Sequence, residues 1–383
     1  MEATVKMRAR LIISIFLVAG VILLTTTTFL KTGKAEKHST LATPDPCIHP
    51  IYSNYRFNKA EDIINLGVQP IYSPTGLISE TMKRDAVLHE ILSGLGAKIR
   101  FYAFLKGDDV NCFLKQGDID VGIGGDMPAI TASANMDVIV PALIQQGFTS
   151  IVARQPMLIR ELRGKKVGYA FGSNAHYALL RSLSSDGLNE AQVNLIPMEI
   201  NEMPEALQTG KIEAFSAWEP ISTIALMKYP ENVVIHRYLS SGYIYFMKTF
   251  SDRHPKVVRH IIAAEIRALR WMQSNRQYLL QASEWAIQAG EDLTNHKLEL
   301  SVEQNASLAE SDILGLTSAP IIPQNDLRQD GVLHKEFEFL KTLGKVPAST
   351  NWDKVYNSFD LQTIINVLAN SNKYKLNEFD YDE

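Results

Sequence analysis

Short apolar runs alternate with amphipathic stretches from residue 66 onward, and their order predicts strands that alternate with helices. Residues 66–72 (LGVQPIY) read as a first strand. Residues 73–76 (SPTG) then form the turn before a helix over 77–92, whose apolar positions Ile78, Met82, Val87, Leu88, Ile91 and Leu92 share one face. Gly94 and Gly96 end it. A strand over 98–104 and a short helix over 108–115 precede DIDVGIGGDMPAI (118–130), where Ile119, Val121 and Ile123 alternate on one face and Asp126, Met127 and Pro128 open a helix. Further strands are predicted over 138–143, 165–171, 193–197, 212–218, 233–237 and 243–247, with 149–153 as a crossover. Helices fall over 175–183, 203–208 and 221–227, and past Pro255 over 257–280, 282–290, 337–343 and 361–368. Such alternation predicts parallel sheets covered on both faces, an α/β fold.

Four places share one grammar of apolar strand, small or polar residues, then helix: 73–76, 124–127, 172–175 and 218–220. The first amides of a helix lack internal partners and carry partial positive charge, so an anion binds there without a lysine or arginine. In parallel sheets such starts gather at the carboxyl ends of the strands, where ligands collect. Ser73, Thr75 and Gly76, then Gly125, Asp126 and Met127, then Ser173 and Asn174, and finally Trp218 and Glu219 are therefore the candidate ligand-binding residues. Four of them have a plainer role open. Ser173 or Asn174 suits a helix cap, Asp126 a cap or a hinge ion pair, and Trp218 core packing. His176, one turn into its helix, reads as packed.

At 383 residues the chain exceeds what one hydrophobic core supports, so two lobes are expected. Residues 11–24 (LIISIFLVAGVILL) carry no charge and follow Lys6, Arg8 and Arg10, the layout of an export signal or a retained anchor, assigned to 1–34. Residues 35–62 read as a linker, with folded structure beginning near Ile63. Setting aside the five basic side chains of 1–34 and Glu2 takes the formal charge from −4 to −8, which makes nucleic acid an unsuitable partner. The two cysteines, Cys47 and Cys112, allow one disulfide or two separate thiols. No H-E-x-x-H, P-loop or G-x-S-x-G stands in a fitting context, so neither catalysis nor a cofactor or metal is expected.

GDIDVGIGGDMPAI, LRGKKVGYAFGSNAHYALL and GKIEAFSAWEPISTIAL, in this order, resemble the nitrate, sulfonate and taurine branch of substrate-binding proteins of ABC transporters. The resemblance spans residues 66–359. It implies a type II periplasmic binding protein fold, two α/β lobes joined by a hinge around a cleft, with 66–148 and 240–383 in one lobe and 149–239 in the other. It also implies a monomer in the periplasm or on the outer face of the cytoplasmic membrane that delivers a small anionic or zwitterionic ligand, such as an aliphatic sulfonate or taurine, to an ABC permease. Hydroxyls and helix-start amides would hold the acid group, Trp218 would stack on the ligand body, and Glu219 would receive an ammonium. A membrane-tethered sensor of the same fold, or a binder of nitrate or a thiamine pyrimidine precursor, is the alternative. One departure from the pattern is acidic: Gly107, Asp108 and Asp109 stand where similar proteins have a Gly-Pro turn, and bare carboxylates there would repel an anion.

Overall fold

The computed structural model describes residues 47, 49–312 and 320–381, and from Ile63 its elements follow the alternating pattern. In chain order they are β1 (Ile63–Val68), α1 (Thr75–Lys83), α2 (Ala86–Gly94), β2 (Lys98–Ala103), α3 (Gly107–Lys115), β3 (Val121–Gly125), α4 (Asp126–Asn135) and β4 (Val138–Ala153). There follow β5 (Lys166–Tyr169), α5 (Asn174–Ser185), β6 (Asn194–Pro197), α6 (Met203–Gln208), β7 (Ala214–Trp218), α7 (Ile221–Lys228) and β8 (Val233–Met247). The rest is helical: α8 (Lys248–Arg253), α9 (Pro255–Ser274), α10 (Arg276–Thr294), α11 (Val302–Asp312), α12 (Val332–Thr342), α13 (Trp352–Tyr356) and α14 (Leu361–Ala369).

The strands form one mixed sheet in the order β2-β1-β3-β8-β4-β7-β5-β6, where separate parallel sheets were expected. Parallel pairing holds within β1, β2 and β3 and within β5, β6 and β7. Between these groups run β4 and β8, 16 and 15 residues long and antiparallel to each other. The pattern predicted β8 as two shorter strands and β4 as a strand over 138–143 followed by a crossover over 149–153, because Ser240, Ser241 and Gly242 in the one and Gln145, Gln146 and Gly147 in the other interrupt the apolar alternation. Backbone pairing continues through these polar residues, from Gln145 opposite Gly242 to Thr149 opposite Tyr238.

Two predicted helices are broken, each at a side chain that caps the second piece. Asp85 accepts a hydrogen bond from the Leu88 amide at 3.0 Å and starts α2, dividing the helix expected over 77–92. Asn275 accepts one from the Gln277 amide at 2.9 Å and starts α10, so the helix expected over 257–280 stops at Ser274.

Successive residues of a strand face opposite sides, and β8 divides its apolar residues accordingly. Ile244 and Phe246 join Leu66, Ile123, Ile261 and Ile262 in one core, while Tyr243 and Tyr245 join Phe104, Ile130 and Phe337 in another. In the other half of the sheet, Val167, Leu179 and Leu183 fill one side and Met203, Phe215 and Ala225 the other. Part of the segment expected as a linker packs against the fold. Tyr52 is buried against Phe104 and Phe113, donates to Asp109 at 2.6 Å, and accepts from the Leu105 amide at 2.8 Å.

A disulfide joins Cys47 to Cys112 of α3 across 65 residues of sequence, with the Cα atoms 5.8 Å apart. Closing a loop of that length restricts the unfolded chain, and reduction is expected to cost about 2–4 kcal/mol. Urea unfolding with and without a thiol reductant measures this; coincident midpoints would show that the bond contributes nothing. Among the described residues no helix is long and apolar enough to cross a membrane, and the apolar run of 1–34 lies outside them.

Candidate functional site

The register of β4 and β8 fixes where the strand ends meet. β3 ends at Gly125, opposite Gly242 of β8, which in turn faces Gln145 of β4. β7 runs the other way and ends at Trp218, opposite Thr149 of β4. The carboxyl ends of the two strand groups therefore point at one another across four residues of β4, about 13 Å at the usual rise per residue. Helices α1 and α4 begin on one side of this gap, and α5 and α7 on the other.

The first junction is tied to its neighbour by Gln69, whose amide donates to the Ile123 carbonyl of β3 at 2.9 Å. The Gly76 amide donates to the Tyr72 carbonyl at 2.6 Å, and a Cβ on Gly76 would stand 2.1 Å from the Pro70 carbonyl oxygen, so only glycine passes here. Thr75 begins α1 and is buried. Ser73 is 7% exposed, and its hydroxyl has no hydrogen-bond partner. A buried hydroxyl without a partner is costly.

At the second junction Asp126 is the first residue of α4 and is 2% exposed. One carboxylate oxygen accepts from the Met127 amide at 2.8 Å and the other from the Ser241 amide of β8 at 3.2 Å. Asp126 thus fastens α4 to β8 through a backbone amide, where an ion pair was one expectation. Burial raises its pKa to about 6 against these hydrogen bonds. Met127 is buried in the core beneath.

The third junction is capped as its plainer reading predicts. The Ser173 hydroxyl accepts from the His176 amide at 3.3 Å and donates to the Ala170 carbonyl at 2.7 Å. Asn174 opens α5, half-buried. Gly172 has φ +71°, and a Cβ there would lie 2.3 Å from the Lys345 side chain. Lys345 also pairs with Asp108 of α3, so one ammonium lies against both sides of the gap. His176 is packed between Tyr169 and Phe339, and burial, aided by Lys345, lowers its pKa to about 4, which keeps it neutral.

At the fourth junction the Trp218 ring meets Tyr72 edge-on, centroids 5.3 Å apart, which brings the first and fourth junctions into contact. The third and fourth are joined by the Ser216 hydroxyl of β7, which donates to the Ala175 carbonyl at 2.8 Å. Glu219 accepts from the Thr223 amide of α7 at 3.1 Å, and its pKa is raised by burial, with Asp312 adding to the shift and Arg237 opposing it. The two halves touch elsewhere too: Lys106 lies 3.8 Å from Glu199, and Lys228 2.8 Å from Glu299.

Each member of the acidic pair of α3 has a partner. Asp109 is buried under the Tyr52 hydroxyl, its pKa raised to about 6 by burial, and Asp108 is matched by Lys345. Sequence reasoning missed Tyr72, Lys345 and Glu336. Lys345 and Glu336 sit in the helical carboxyl-terminal third, where no local pattern shows that the chain returns to the sheet. A cavity of about 170 Å³ opens beside β8, and of the ten expected residues Asp126 alone lines it.

The model of the NMT1/THI5 like family matches residues 94–277. The taurine-binding periplasmic protein of Escherichia coli (strain K12) is 25% identical over 273 residues, 67% of this chain and 81% of that protein. Among solved structures, the periplasmic aliphatic sulphonate binding protein SsuA from Escherichia coli superimposes with a TM-score of 0.61 at 19% identity, covering 77% of this chain and 92% of its own. The desulfurization enzyme DSZB gives 0.50 at 15% identity, covering 80% and 99%. These likenesses to solved structures show the fold, which hosts binders and at least one enzyme. The resemblance carried by the three sequence blocks is the one that the comparisons return.

Proposed function

We infer that this relative of periplasmic taurine- and sulfonate-binding proteins is the extracytoplasmic solute-binding component of an ABC importer, and that it holds a small sulfonate or related oxyanion between its two halves. The observation that carries this reading is the opposed strand ends, which aim the starts of α1 and α4 and of α5 and α7 into one gap. The Ser73 hydroxyl, with no partner of its own, and the Thr75 and Asn174 amides that begin α1 and α5 are donors for an acid group. Lys345, paired with Asp108, stands beside Gly172, and Trp218 walls the gap with Tyr72.

On this reading residues 66–148 and 240–383 make one lobe and 149–239 the other, with β4 and β8 as the crossing between them. Residues 1–34 export the chain, the ligand is handed to a permease in the cytoplasmic membrane, and no chemistry is performed. Both cysteines are engaged in the disulfide, so neither offers a thiolate nucleophile.

A thermal-shift series with taurine, ethanesulfonate and nitrate tests the assignment. A ligand at about a hundredfold its dissociation constant should add roughly 2.7 kcal/mol to the stability of the exported chain. Trp218→Ala, and separately Ser173→Ala with Asn174→Ala, should remove that gain. The unliganded double variant should stay folded, with a loss of about 1 kcal/mol for the missing cap. If none of these anions stabilises the wild-type chain, the reading fails; a gain that survives Trp218→Ala excludes that ring from the site.

A further inference from the structure

The cavity beside β8 lies between α4, α12 and the short turn Gln324–Leu327, and its polar lining includes Asp126, Asp326 and Glu336 together with Tyr238, Tyr243 and Ser241. No lysine, arginine or histidine lines it among the described residues. Glu336 is fully buried, and neither of its carboxyl oxygens has a hydrogen-bond partner. A carboxylate removed from water without a partner is not tolerated; it must hold a proton or face a cation. Two more acids, Asp126 and Asp326, border the same space.

We propose that this cavity is a binding site for a small organic ammonium ion, set against the crossing strands at the start of α4. Its volume, about 170 Å³, equals roughly six water molecules at about 30 Å³ each, room for an ammonium bearing a few carbons. Tyr238 and Tyr243 line it, and aromatic rings attract alkylammonium ions, while Leu239 and Val332, both well exposed, offer apolar contact for methylenes at the rim. A divalent metal is the poorer fit. Among the described residues no three acids, histidines or cysteines stand close enough together to ligate one. Asp126, read from the sequence as a contact for the anion, belongs to this cation site by its position.

Binding also has a proton signature. The groups that face Glu336 are Asp126 of α4, Asp326 of the short turn, Tyr177 of α5 and Tyr238 and Tyr243 of β8. Burial first, then Asp126 and Asp326, raise the Glu336 pKa well above the usual carboxylate range, so the empty site holds protons that an arriving cation displaces. Affinity should therefore rise with pH, and calorimetry in two buffers of different ionisation enthalpy should register proton release.

The experiment is a thermal shift of the exported chain with methylammonium, ethylammonium and tetramethylammonium chlorides, each against sodium chloride at equal ionic strength. An organic ammonium is expected to stabilise the wild type beyond sodium, and Glu336→Gln is expected to weaken that binding at least tenfold. Should Glu336→Gln fail to fold, Asp326→Asn, at a less buried acid of the same cavity, carries the same comparison. Ammonium ions that shift the wild type no more than sodium, or shift it equally in a folded Glu336→Gln or Asp326→Asn variant, overturn the proposal. No sulfonate enters the test, so its outcome is independent of the cleft assignment.

Discussion

Arg267→Met is expected to destabilise the folded chain by about 3–5 kcal/mol, the cost of leaving one member of a buried ion pair alone. Arg267 of α9 reaches one oxygen of Asp85 with two nitrogens, at 2.9 and 2.6 Å, and donates to the Tyr374 carbonyl at 2.9 Å; neither charged side chain is exposed to solvent. Asp85 also caps α2, so the pair joins α2, α9 and the carboxyl-terminal tail at one point. Without the arginine, Asp85 must either stay charged in an apolar core or take up a proton. The variant's deficit should therefore be larger near neutral pH than in mild acid. Asp85→Leu combined with Arg267→Met should recover much of the loss, because replacing both partners by apolar groups removes the uncompensated charge. Denaturant unfolding of the two variants measures both effects; a single-variant cost below about 1 kcal/mol would contradict the assignment.

Glu265→Met is expected to act in the opposite direction. Glu265 sits two residues before Arg267 on α9, a spacing that does not place the two side chains together. It is fully buried, both of its carboxyl oxygens lack partners, and burial raises its pKa well above the usual range. A raised folded-state pKa means that the fold favours the protonated form. The stability from this group is complete below the unfolded pKa and is lost as pH rises toward the folded value, by about 1.4 kcal/mol per pH unit. Methionine has no charge to suppress. The variant should be more stable than the wild type at about pH 8, with the difference shrinking toward about pH 4 and the stability profile flatter between them. Parallel pH profiles for the two proteins would show that Glu265 does not ionise on unfolding.

Much of the site's scaffold could be read from short patterns, because a strand, a turn and a helix start are local events. The junctions at 73–76, 124–127, 172–175 and 218–220 all stand where the alternation placed them, each at the start of a helix. What the pattern hid were the non-local facts. Gln145, Gln146 and Gly147 read as a break because an isolated strand would not choose them, yet pairing with β8 carries the backbone through. Asp85 looked like one polar position on a helix face, while its long-range partner Arg267 makes it a cap and a core anchor. Lys345 and Glu336 lie more than 150 residues from the groups they face at Gly172 and Asp126, and nothing near them in sequence marks that return.

The continuous pairing of β4 and β8 has a mechanical consequence. The chain crosses between the halves twice in a two-ply ribbon whose plies are hydrogen-bonded to each other, so the crossings cannot act as independent tethers. Sliding one half past the other within the sheet would rupture that ladder, whereas twisting or folding the ribbon leaves its bonds in place. On the two-lobe reading proposed above, rotation about the ribbon is expected to be the soft coordinate and translation the stiff one, so that the halves would part like covers on a spine.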